Sequence, residues 1–92
     1  MNQILLKNVI DILSQVVDLL YQENLQKAYM LLAAVLPKME ELAQGIPDQR
    51  QQEELADRLR QALEAMEDGD STLLADLIQY EILEQLNTFV EE

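Results

Sequence analysis

The side chains that could do chemistry in this sequence are 18 carboxylates, 6 lysine or arginine cations and the hydroxyls of 3 tyrosines, 2 serines and 2 threonines. Histidine and cysteine are absent. That removes the thiol nucleophile, the imidazole base and the usual zinc ligands. The Glu-x-x-His pairs of a carboxylate-bridged di-iron bundle cannot form, and no glycine-rich loop is present to hold a phosphate. Asp68-Gly69-Asp70-Ser71-Thr72 superficially resembles a calcium loop. Counted from Asp68, however, Leu73 stands where the loop's glycine belongs and Gln79 where its closing glutamate belongs. A helix cap explains that segment better. The expectation is a non-enzymatic chain with no metal and no cofactor.

Two charge features point instead to recognition. Glu81 interrupts an apolar stretch, beside Leu74, Leu77 and Ile78. A lone carboxylate buried there would be costly or protonated. It therefore sits at a rim with its stem packed, or it pairs with a cation on this chain or a partner. The second feature is an asymmetry: residues 61–92 hold nine carboxylates and no Lys or Arg, while the three arginines are Arg50, Arg58 and Arg60. Those arginines answer the acidic last helix within the fold, or they attract a neighbouring chain. Tyr21, Tyr29 and Tyr80 each join an apolar ring to a polar tip. Such residues ordinarily sit at the edge of a core; the alternative is that, with Met30 or Met39, they line a groove for a partner helix.

Hydrophobic periodicity supplies four helices to position these groups. The first is predicted from about Asn2 to Tyr21. Leu5, Val9, Ile12, Leu13, Val16, Leu19 and Leu20 form its apolar face, widened by Leu6, Ile10 and Val17. The resulting arc, about 200° at 100° per residue, is wider than one neighbour needs. Asn24 is placed to cap a second helix, Leu25 to Gln44, by accepting a free backbone N–H. Pro37 lies opposite that helix's apolar stripe, so a kinked single helix is expected rather than a break. Gly45 is the stop signal, followed by Pro47.

Asp48, with Gln51 three residues on, opens a third helix from about Gln49 to Glu67. Its apolar face is narrow (Leu55, Leu59, Ala62, Leu63, Met66), which makes it the most peripheral helix. Glu54–Arg58 and Arg60–Glu64 are spaced to pair along it. Gly69 reads as a left-handed cap, and Asp70 or Ser71 caps the fourth helix, from about Thr72 to Val90. Leu74, Ile78, Ile82, Leu86 and Phe89 form one stripe of that helix, with Leu73, Leu77 and Tyr80 beside it.

Short loops between four amphipathic helices give one domain over residues 1–92, an all-α, antiparallel, up-down four-helix bundle. The composition agrees: 49% hydrophobic residues, 2 Gly, 2 Pro and only four aromatic side chains. No apolar run reaches the roughly 20 residues of a membrane span. No signal-peptide pattern is present either, because Lys7 interrupts the first apolar stretch. A cytoplasmic location is the expectation, with no membrane partner. A net charge of −12 repels nucleic acid; it either attracts a basic partner or serves only to keep a small protein from associating.

The segment Asp70-Ser71-Thr72-Leu73-Leu74-Ala75-Asp76-Leu77-Ile78-Gln79-Tyr80-Glu81-Ile82-Leu83 resembles a segment of small acidic helical proteins of Firmicute bacteria, with the pattern Asp-Tyr-x-Leu-Leu-Ala-Asp-x-x-x-Tyr-Glu; Ser71 departs from it. Ala28-Tyr29 and Leu31-Leu32, within Asn24 to Leu42, are similar to small helical accessory proteins such as flagellar export chaperones. That likeness implies shielding of an apolar helix of a client.

The functional expectation is a non-catalytic interaction or accessory protein that binds a helical or basic partner, or a second copy of itself. The wide faces of the first and last helices would make the contact through Leu6, Ile10, Val17, Tyr21, Leu73, Leu77, Tyr80 and Glu81. The alternative is a small-molecule-binding regulatory domain, which requires an internal cavity with convergent polar groups.

Overall fold

Four apolar stripes fold against one another in the computed structural model, which describes residues 1–91. Helix α1 is Gln3–Tyr21, α2 is Leu25–Gln44 and α3 is Gln49–Glu67. Helix α4, residues 71–87, is continuous but has three parts: an α-helical turn Ser71–Asp76, a π-helical stretch Leu77–Ile82 and a closing α-helical turn Leu83–Asn87. Among the described residues there is no strand.

The core is built from residues at helical spacing. Helix α1 buries Leu6, Val9, Leu13, Val16, Val17 and Leu20, and α2 buries Ala28, Leu32, Val35, Met39 and Leu42. Each large side chain removed from water in this way contributes about 1.5–3 kcal/mol. Helix α3 buries only Leu55, Ala62 and Ala65, so it is the peripheral helix its narrow stripe predicts. Ile46, in the α2–α3 loop, closes one end of the core.

The order is up-down-up-down. Helix α1 packs most extensively on α2 and also runs along α4; α3 packs on α4 and less closely on α2. The two chain ends meet through Gln3, whose Nε2 donates to the Phe89 carbonyl at 3.0 Å and whose Oε1 accepts from the Glu91 N–H at 3.0 Å. The α1 and α4 helices are thereby held antiparallel. The wide apolar arc of α1 is consumed by these two neighbours, which is why little of it remains for a second chain.

Helix ends follow the cap chemistry with two exceptions. Asn2, Asp48 and Asp70 each accept backbone N–H groups from the first turn they precede. Asn24 stands at the N-cap of α2 but makes no side-chain cap bond; its own N–H is taken by the Leu19 carbonyl, closing α1. Gly45 ends α2 with φ −84°, not in the left-handed region. Among the described residues the left-handed positions are Gly69, at φ 70°, and Glu23, at φ 60°. Helix α2 passes through Pro37 unbroken. The proline leaves the Ala33 carbonyl without its helical donor, and both residues are exposed, so water can take that bond.

Candidate functional site

Of the side chains expected at a contact surface, three are spent inside the fold. Leu6, Val17 and Leu77 belong to the core and cannot meet a partner. Ile10 is half-buried and packs against the same core. The reason is geometric: α1 and α4 pack on each other, and α2 and α3 cover the rest of their wide faces.

Tyr21, Leu73, Tyr80 and Glu81 remain outside. Tyr21 is 57% exposed, Tyr80 59% and Leu73 46%. Tyr21 ends α1 and lies against α4. Its hydroxyl donates to Gln79 Oε1 at 2.6 Å, and its ring lines a hollow with Thr72 and Ala75. Partial desolvation, with Tyr80 and then Asp76 beside it, pushes the Tyr21 hydroxyl above the ordinary tyrosine range. Leu73, Asp76 and Tyr80 follow one another at helical spacing on the outer side of α4. The tyrosine groove foreseen with Tyr29 does not form. Tyr29 packs against the core, Met39 is buried, and Met30 is exposed on α2.

Glu81 is exposed at the rim of a hollow of about 370 Å³ between α3 and α4, with Glu54, Arg58, Tyr80, Glu84 and Gln85. Its carboxylate is in no ion pair among the described residues; the pairs there are Arg50–Glu54, Arg60–Asp57 and Arg60–Glu64, all within α3. The expected Arg60–Glu64 pair forms at 2.9 Å. Glu54 pairs with Arg50 instead of Arg58. Asp57 is held below the usual carboxylate range by its hydrogen bond and charge contact with Arg60.

Only Arg58 of the three arginines reaches α4. It meets a neutral side chain there: Nη1 donates to Gln85 Oε1 at 2.5 Å. Gln85 is the one buried polar residue among those described, and its Nε2 donates to the Gln51 carbonyl at 2.9 Å. The acidic side of α4 therefore keeps its charge. Residues 48–92 carry thirteen carboxylates against three arginines, while residues 1–47 carry five against three lysines. Almost all of the net negative charge belongs to the α3–α4 half.

The π-helical stretch is the feature at this site that sequence reasoning missed, and it carries the exposed Tyr80 and Glu81. π turns inside α-helices are frequent at functional sites. The signal was available: Leu74, Ile78, Ile82 and Leu86 recur every four residues. On an α-helix that stripe drifts by about 120° over three repeats. The wider π turn takes the drift back, so all four stay buried.

No helix among the described residues is long and apolar enough to cross a membrane. No curated protein and no solved structure matches the chain. Residues 3–92 match the family described as a domain of unknown function (DUF8042), and the chain belongs to that family.

Proposed function

We propose that this protein is a non-catalytic accessory protein that holds a basic segment of a partner protein on the outer side of α4. The observation that carries this reading is the exposure of Tyr21, Leu73 and Tyr80 beside Asp76, Glu81 and Glu84. Exposed aromatic rings are common anchors in interfaces. Unpaired carboxylates around them attract cations and repel anions. The same charge works against a second copy, because two acidic faces brought together repel each other. The small-molecule alternative is less well supported, since the hollows between the helices open onto the surface.

The test is site-specific photo-crosslinking in the cells the protein comes from. A photoreactive phenylalanine analogue replaces Tyr80, and in a control it replaces Ile4, which is 85% exposed on α1. The expected result is an adduct to a basic protein from position 80 and none from position 4. Adducts only to a second copy of the chain, or equal adducts from both positions, would overturn the reading.

A further inference from the structure

The seam between α2 and α3 is the least closely packed side of the bundle, and it carries a hollow of about 430 Å³. Ala43 from α2 and Leu55, Ala56 and Leu59 from α3 form its apolar wall; Gln44 and Gln52 close one end, where Gln52 Nε2 donates to the Ala43 carbonyl at 2.8 Å. Ala43 and Ala56 are small, so the surface is shallow and open to close approach. Glu40 and Glu53 stand on the two rims, and no Lys or Arg lines the hollow. Leu36, seven residues before Ala43, and Leu63, four after Leu59, are half-buried, and helical spacing puts them on the same faces further along the two helices.

We propose that this groove is a second docking surface, and that it takes an amphipathic helix with basic flanks. The shape and the charge argue for that occupant together. An apolar strip two helical turns long matches anchors at i, i+3 or i+4, and i+7 on one face of a helix. The glutamates on both rims meet cations on either side of that face. A second copy of this chain fits poorly, because its α3–α4 half is itself strongly acidic. The proposal stands apart from the Tyr21–Tyr80 face, on a different pair of helices.

The test titrates the isotope-labelled full chain with a synthetic amphipathic helix of leucine and lysine, and with a scrambled peptide of identical composition, read by amide chemical shifts. The patterned peptide is expected to shift Ala43, Leu55, Ala56 and Leu59, and the scrambled one to leave them in place. Ala56 is exposed, so Ala56→Arg is accommodated on the surface while filling and recharging the groove. It should weaken binding by about tenfold, or about 1.4 kcal/mol. Ala34→Arg, the same charge change on the outer side of α2, should weaken it less than about twofold. Circular dichroism confirms that both variants fold. The proposal is overturned if the shifts gather around Tyr21 and Tyr80, if both arginine variants weaken binding equally, if the peptide does not bind, or if the free chain associates with itself through these residues. Crosslinking from position 80 reads the other face, so either reading can fail while the other stands.

Discussion

Arg58 on α3 and Gln85 on α4 are joined by a hydrogen bond of 2.5 Å, and Gln85 hands the link on to the Gln51 carbonyl at 2.9 Å. The amide can face only one way: Arg58 has donors alone and the carbonyl only accepts, so Oε1 must meet the guanidinium and Nε2 the backbone. This pair of bonds ties the peripheral helix to the core at the hollow where Glu81 stands. Removing either partner strands a group that is partly or wholly out of water. Arg58→Ala and Gln85→Ala should each lower stability by about 1–3 kcal/mol. Urea denaturation of both variants and the double variant should give a coupling of about 1–2 kcal/mol. Strict additivity would mean that the link contributes nothing.

Glu23 is a non-glycine residue in the left-handed region, at φ 60°. It occupies the position after the α1 C-cap, where the Glu23 N–H donates to the Leu20 carbonyl and the Asn24 N–H to the Leu19 carbonyl. Gly69 fills the equivalent position after α3, with the same pair of bonds from Gly69 to Met66 and from Asp70 to Ala65. A β-carbon at positive φ costs about 1–2 kcal/mol, which glycine avoids. Glu23→Gly should therefore stabilise the fold by about 1 kcal/mol, offset in part by the freer unfolded chain. Gly69→Ala should cost about the same, although nothing lies near its added carbon. Thermal melts of the two variants should move in opposite directions.

The Tyr29 hydroxyl is buried with no hydrogen-bond partner among the described residues. A buried donor left unmade costs about 1–3 kcal/mol. Tyr29→Phe removes it and keeps the ring, so the variant should be as stable as the parent or more stable, by up to about 2 kcal/mol. A measured loss above about 1 kcal/mol in urea would instead reveal a bound water that satisfies the oxygen.

Tyr21 should ionise later than an ordinary tyrosine, because partial desolvation, Tyr80 and Asp76 all disfavour its anion. In an ultraviolet difference titration, Tyr21→Phe should delete a tyrosine step that lies above the usual value of about 10. Asp76→Asn should bring that step down. The linkage has a definite sign. A folded-state value raised above the unfolded one leaves this contribution intact below the unfolded value and removes it as pH rises through the folded one. The parent should therefore lose alkaline stability that Tyr21→Phe retains.

Much of this molecule was legible as sequence, and the reasons are local. Helix limits followed from Asp48, Gly69 and Asp70, whose side chains or backbone freedom act within one turn. Tertiary choice was harder to read. Leu6 and Val17 look identical to surface candidates on a helical wheel until α2 and α4 are placed around α1. The partner of Arg58 was unreadable for the same reason: Glu54 sits at the right spacing, but Gln85 arrives from another helix and takes the guanidinium. Glu23 was missed because its left-handed backbone is imposed by the closing bonds of α1 and not by its own residue type.

The π stretch Leu77–Ile82 gives the last prediction. It amounts to one residue more than an α-helix needs between Leu74 and Leu86. Deleting one residue there leaves a separation of eleven, about 20° from three full α-helical turns, so the buried stripe stays aligned without the wider turn. Deletion of Glu81, which is exposed, should therefore convert α4 to a plain α-helix and change stability by no more than about 1 kcal/mol. Deletion of Asp57, also exposed but inside the regular helix α3, has no wide turn to absorb it. It rotates Ala62 and Ala65 by about 100° relative to Leu55 and should cost more than about 3 kcal/mol. Circular dichroism melts compare the two directly. If the Glu81 deletion is as damaging as the Asp57 deletion, the π turn is not a removable insertion. If it folds well, crosslinking from position 80 in the deleted chain shows whether the paired exposure of Tyr80 with its acidic neighbour matters for recognition.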